Sequence, residues 1–312
     1  MDRSAYRELV MHSQEQERQE STLAYLTEHL GRILKQGEKV LICSRRHEKG
    51  DLSWLMEQAV LLCGARPVVW GPDRRWKTLL QQAFYSRATT VIGAPLVILG
   101  LAKLKKYNGI PLYIRRAITV GYPCLDWVME GIIKGLDCKT AGCFGLGTSG
   151  VVAGFSCQKS HGVHLREDVY GVDIVDENGA PLPEGEVGEM ILYPKDRPDL
   201  RFALGEIARL ERKPCPCGCT APRLLDMSYG SIDDPMLAEL GQYLHSWTSV
   251  LDCNLVKGPY GLEIEMVVFP GEKLPKLPNA AKQVIRPWDP KHDEPIWFAP
   301  KTNISEFPWE SH

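Results

Sequence analysis

Across residues 39–144, short apolar segments of strand length alternate with segments of helical periodicity, and most of the apolar segments stop at or near a glycine. Strands are expected at Lys39–Cys43, 67–70, 89–92, 117–120 and 139–144, with helices at Leu52–Leu62, 76–85, 97–106 and 125–134 between them. This rhythm implies right-handed crossovers and a mainly parallel sheet. Ligands in such sheets bind beyond the carboxyl ends of the strands. Those ends are Gly93-Ala94-Pro95, Gly121-Tyr122-Pro123 and the glycine-rich run from Gly145 to Gly150.

Before this region, residues 1–36 read as a charged helical segment with an apolar stripe at Leu26, Leu30, Ile33 and Leu34. After Gly150 the pattern changes. Residues 151–232 are β-rich, with strands at Tyr170–Val175, 189–193 and 203–210 and a turn at Asn178-Gly179, and form either a distorted barrel or a second sheet. Residues 233–312 read as a small α+β domain: a helix at Pro235–Ser246, strands at 249–257 and 261–269, and an extended tail rich in proline and tryptophan from Gly271.

Composition excludes several classes. Lys+Arg 37 against Asp+Glu 39 leaves a net charge of −2, so there is no basic footprint for nucleic acid or anionic lipid. No apolar run reaches the roughly 18–20 residues of a membrane span. The opening Met1-Asp2-Arg3-Ser4 is not a secretory signal, which points to the cytoplasm. There the ten cysteines are core thiols, metal ligands or redox groups rather than bridges. Cys43, Cys63, Cys138, Cys143 and Cys253 sit in apolar segments and read as core.

Cys157, His161, His164, Cys215, Cys217 and Cys219 are different. Thiolates and imidazoles in this number suit tetrahedral Zn²⁺, and Cys215-Pro216-Cys217-Gly218-Cys219 is a tight knuckle. Unliganded thiols or a redox or iron–sulfur role are the alternatives.

Five stretches in order resemble the adenylate-forming ligases, and most closely the phenylacetate–coenzyme A ligase branch. They are Phe144-Gly145-Leu146-Gly147-Thr148, Gly162 to Asp168, Gly185-Glu186-Val187-Gly188-Glu189, Leu200 to Leu210 and Cys215-Pro216-Cys217-Gly218. The resemblance runs from about Gly37 to Phe269. It implies part of the ligase large domain followed by a small C-terminal domain that rotates about a hinge at Asp233-Asp234. It implies ATP or AMP with Mg²⁺ and coenzyme A as cofactors, and a small carboxylic acid, perhaps aromatic, as substrate. Enzymes of the family form an acyl-adenylate and pass the acyl group to the thiol.

Carried over residue by residue, Gly121, Tyr122, Phe144, Gly145 and Thr148 line the nucleotide pocket and Glu206 takes the place of the ribose-binding Asp. Thr148 stands where the family has a Mg²⁺-binding Glu, and Ser231 and Cys219 stand where it has Arg. Lys282 and Lys301 match the C-terminal catalytic Lys by position alone, so the catalytic set is left unassigned. The branch that carries Cys-Pro-Cys-Gly also carries an upstream Cys and a Gly-x-His, which selects Cys157, His164, Cys215 and Cys217 for a closed structural zinc, with His161 and Cys219 in reserve. The glycines at 145, 147 and 150 fit either close approach to a nucleotide or a sharp turn, and Tyr122 either an adenine stack or a core aromatic. No Ser/Thr/Gly-rich phosphate loop with a Lys occurs in the 312 residues, so against the family the chain reads as N-terminally truncated and divergent. Two readings follow: a divergent acyl–coenzyme A ligase, or a ligase-fold binding protein acting as a homodimer or with a partner protein.

Overall fold

The computed structural model describes Glu8, Met11, His12 and residues 15–44, 47–71, 73–121, 124–146, 150–157, 161–229 and 235–296. Tyr122, Gly147, Thr148, Ser231, the Asp233-Asp234 hinge, Trp297, Lys301 and Trp309 lie outside the described residues.

The alternation seen in the sequence becomes β1 (Lys39–Cys43), α2 (Leu52–Leu62), β2 (Arg66–Val69), α3 (Trp76–Ser86), β3 (Thr90–Gly93), α4 (Pro95–Asn108), β4 (Arg116–Gly121), α5 (Asp126–Leu136) and β5 (Lys139–Leu146), preceded by α1 (Gln16–Gly31). These strands pair in parallel in the order β2-β1-β3-β4-β5. Side chains alternate across the sheet, as strand geometry requires. On β1, Leu41 and Cys43 join the core under α3, α4 and α5, while Val40 and Ile42 join the core under α1 and α2. Burial on both faces is why these strands read as continuous apolar runs.

The β-rich section is neither a barrel nor a second sheet. It continues the first sheet from β5 through antiparallel neighbours: β6 (Val151–Ser156), β7 (Val163–Leu165), β11 (Arg223–Tyr229), β10 (Phe202–Glu211), β9 (Val187–Pro194) and β8 (Tyr170–Val175). The junction between β7 and β11 is the weak point of this 11-stranded sheet, because only Arg223↔His164 and Leu224↔Val163 are in register there.

A three-stranded sheet follows: β12 (Val250–Gly258), β13 (Gly261–Val268) and β14 (Lys282–Pro287), with α6 (Pro235–Ser246) packed on β12. Here the tail departs from the extended arm expected. β14 pairs in parallel with β13, and Trp288 is buried just beyond it.

This small sheet shares a core with the large one: Leu251, Val267, Phe269 and Trp288 pack with Trp70, Trp76, Leu101 and Leu104. Phe269 stacks on Tyr107 with ring centroids 4.1 Å apart. Lys103 donates to the carbonyls of His245 and Val250 at 2.8 and 2.7 Å, and the Trp76 amide donates to the Asp293 carbonyl at 3.1 Å. Helix α4 therefore lies between two sheets. Leu96, Lys103 and Tyr107, spaced seven and four residues apart, form its outward row. Its layer is packed tightly: a Cβ on Gly100 would collide with the Trp76 ring, and one on Gly135 would sit 2.7 Å from the Cβ of Ala102.

Candidate functional site

Cys157 follows β6, His164 is on β7, and Cys215 and Cys217 are on the loop joining β10 to β11. The sheet topology brings these segments together although 60 residues of sequence separate the first from the last. Their four ligand atoms all lie within 4.8 Å of one another. Cys157 Sγ is 3.6 Å from Cys215 Sγ, and Cys217 Sγ is 3.3 Å from His164 Nε2. Thiolates about 2.3 Å from a tetrahedral ion stand about 3.8 Å apart, so the cluster has the dimensions of such a site. His164 Nδ1 lies 3.2 Å from the Ala221 carbonyl, which holds the proton on that nitrogen and turns the Nε2 lone pair toward the thiols.

Burial opposes ionisation of Cys215. Hydrogen bonds from the Cys217 amide and from the Cys217 and Cys157 side chains outweigh it and pull the thiol down to about 6. The Cys219 amide donates to Cys217 Sγ at 3.4 Å. Three thiols and one oriented imidazole fit Zn²⁺ by donor chemistry. Of the two reserves, Cys219 and His161 are exposed and stand outside this group. The cluster sits on the β7–β11 junction and ties the β6–β7 strands to the β10–β11 loop. All ten cysteines are free thiols, and Cys43, Cys143 and Cys253 are buried.

The residues expected around a nucleotide are less uniform. Gly121 ends β4 with φ +96°, and a Cβ there would meet nothing within 4 Å, so this strand end is open. Phe144 packs into the core of the β-rich section rather than facing a ligand. Gly145 is required by the sheet, because a Cβ there would strike the Val151 carbonyl of the neighbouring strand. Glu206 is 8% exposed on β10, and its Oε2 has no hydrogen-bond partner among the described residues. Burial pushes its carboxyl up to about 8. An acid of that kind is neutral near pH 7, with one donor and one acceptor to offer.

A surface cleft of about 450 Å³ lies elsewhere, between the start of α3 and residues 290–292, lined by Arg75, Lys77, Lys291 and His292 among others. It is distant in sequence and element from every residue above, and it holds no buried polar group. The strand ends are the better site because a parallel sheet directs its loops there. Among the described residues, sequence reasoning missed one further polar cluster at such an end: His47, Ser53 and Glu57. Its members are isolated single letters in the sequence, and no motif marks them.

No family model matches the chain, and no curated protein matches it. Solved structures do. A 2-hydroxyisobutyryl-CoA ligase, in the postadenylation state with an acyl-AMP, aligns with TM-score 0.63 and 16% identity over 80% of this chain and 58% of its own. A benzoate CoA ligase from Burkholderia xenovorans LB400 aligns with TM-score 0.56 and 13% identity over 85% and 62%. The anthranilate CoA ligase AuaEII, in complex with anthranoyl-AMP, aligns with TM-score 0.56 and 12% identity over 85% and 59%. These likenesses show a shared fold, that of adenylate-forming CoA ligases. The chain spans about three fifths of the length of these structures. No helix among the described residues is long and apolar enough to cross a membrane.

Proposed function

We propose that this chain, with its adenylate-forming CoA ligase fold, binds the nucleotide part of an acyl-adenylate at the carboxyl ends of β4 and β5. Glu206 receives the ribose. The observation that carries this reading is the buried, unpartnered Oε2 of Glu206. A polar atom left unpaired in a protein interior costs about 1–3 kcal/mol, and a ligand hydroxyl recovers it. As a neutral acid the group donates to one of two adjacent hydroxyls and accepts from the other. The open end of β4 at Gly121 leaves room for a base or an acyl group. The acid is a small one, aromatic in the phenylacetate branch that the motifs resemble. Zn²⁺ on Cys157, His164, Cys215 and Cys217 is structural in this reading: it supplies cross-linking of the sheet, and its four protein ligands leave no open position for substrate.

Calorimetry with AMP and ATP, with and without Mg²⁺, tests the proposal. Binding in the micromolar to low-millimolar range is expected, and Glu206→Ala should weaken it at least about tenfold, the equivalent of one lost hydrogen bond of about 1.4 kcal/mol. Absence of heat with both nucleotides would reject it.

A second reading, a ligase-fold binding protein without thioester chemistry, is favoured by one observation. The small sheet is docked on α4 through a half-buried lysine and a shared aromatic core, whereas the resemblance implies a domain that rotates. Nucleotide binding without pyrophosphate exchange for any carboxylate would select it.

A further inference from the structure

We propose that Ser53, His47 and Glu57 form a second reaction centre, a serine acyl-transfer site that takes a short acyl ester or thioester. Ser53 is the second residue of α2, and Glu57 lies one turn further on the same face. His47, from the loop after β1, lies across both. Its Nδ1 is 2.7 Å from Ser53 Oγ, and its Nε2 is 2.9 Å from Glu57 Oε2.

The carboxylate fixes the direction of these bonds. An ionised Glu57 only accepts, so Nε2 carries the imidazole proton. Nδ1 is then a lone pair, and the Ser53 hydroxyl donates to it. This is the arrangement a nucleophile, its base and the group orienting the base require.

The helix adds a further element. The first backbone hydrogen bond of α2 runs from the Leu55 amide to the Asp51 carbonyl at 2.9 Å. The amides of Leu52, Ser53 and Trp54 precede it, and the N-cap Asp51 makes no side-chain cap bond to them. They form a set of donors beside the nucleophile, where an oxyanion would develop. The location is also suited to a ligand. β1 lies between β2 and β3, where the strand order reverses, and His47 and Ser53 sit beyond its carboxyl end.

The chemistry balances without any other reagent than water. Ser53 Oγ attacks the acyl carbon and its proton passes to His47 Nδ1. The tetrahedral intermediate expels the alcohol or thiol, which takes that proton. Water, deprotonated by the same nitrogen, then cleaves the acyl-serine to the carboxylic acid and restores the hydroxyl. Ser53 is only 4% exposed, so the acyl group is short. None of this uses a nucleotide, and the site stands or falls separately from the ligase reading.

The test is labelling of the intact protein with a small fluorophosphonate, read by peptide mass, with turnover of 4-nitrophenyl acetate and of an acetyl thioester as the two substrate arms. The probe mass is expected on Ser53 and not in Ser53→Ala. His47→Ala should slow labelling at least about a hundredfold, the usual worth of a general base. Glu57 is a positioning residue: Glu57→Gln should move the pH midpoint of labelling downward, which a purely structural contact would not do. Absence of probe on Ser53 in the wild-type protein overturns the proposal, and so does an unchanged rate in a folded His47→Ala. If that variant does not fold, wild-type labelling and the Glu57→Gln profile decide.

Discussion

Cys217 Sγ lies 3.3 Å from His164 Nε2, while the other nitrogen of the same ring is held by the Ala221 carbonyl. The imidazole is therefore fixed as an acceptor toward a cluster of thiols, a set that has little reason to assemble without a cation. Protein purified without added metal should contain close to one equivalent of zinc by elemental analysis. Less than about a tenth of an equivalent would reject the site, because structural zinc is held tightly. Cys217→Ser should lower both zinc content and the urea midpoint, since a metal held there would reinforce a strand junction of two residue pairs.

Glu206 makes stability depend on pH in a defined direction. Its carboxyl is raised from 4.5 to about 8 in the fold, so the folded state holds a proton that the unfolded chain releases. The stabilisation is complete below pH 4.5 and is lost as pH rises through about 8. The slope is at most about 1.4 kcal/mol per pH unit. Glu206→Gln should flatten the urea-derived stability curve over this window and exceed the wild type most at its alkaline end. Equal slopes would show that Glu206 is not buried as a neutral acid.

Gly100 sits inside α4, where alanine is the better helix former by about 1 kcal/mol. The Trp76 ring occupies the space a Cβ would need. Overpacking of this kind costs about 1–3 kcal/mol. Gly100→Ala should therefore lower the thermal midpoint, and a higher midpoint would contradict the packing.

Lys103 is half-buried between α4 and the small sheet, and desolvation pulls its ammonium down to about 8. Lys103→Met removes the donor and leaves the carbonyls of His245 and Val250 facing an apolar chain. Loss of two hydrogen bonds to a charged donor should cost about 2–4 kcal/mol. Hydrogen exchange should show the loss in α6 and β12 before the large sheet opens. Uniform loss across the molecule would mean that the two sheets unfold as one unit.

The parallel half was legible because its strands are buried on both faces, which makes each one a continuous apolar run punctuated by glycine. The strands at the β7–β11 junction were not. β7 has three residues, too few for any periodicity, and β6 follows a glycine run that reads as a loop. β14, Lys-Gln-Val-Ile-Arg-Pro, is mostly exposed and ends on a proline, so its membership is decided by pairing with β13 rather than by its own pattern. The cysteine and histidine cluster was visible as six thiols and imidazoles in two short stretches, and the resemblance selected four of them. Glu206 was visible only through resemblance. The His47 cluster was invisible, since a loop has to fold back over a helix before its three side chains meet.

The placement of α4 between two sheets bears on how the chain is made. During synthesis the first sheet can assemble before β12 to β14 have left the ribosome. In that interval the row at Leu96, Lys103 and Tyr107 on this helix faces water. An early intermediate therefore exposes a sticky stripe, and chains interrupted there are expected to aggregate rather than persist as half-proteins. The late-arriving small sheet acts on its own chain as a folding cover, ending the period of greatest risk when Phe269 and Trp288 close over α4.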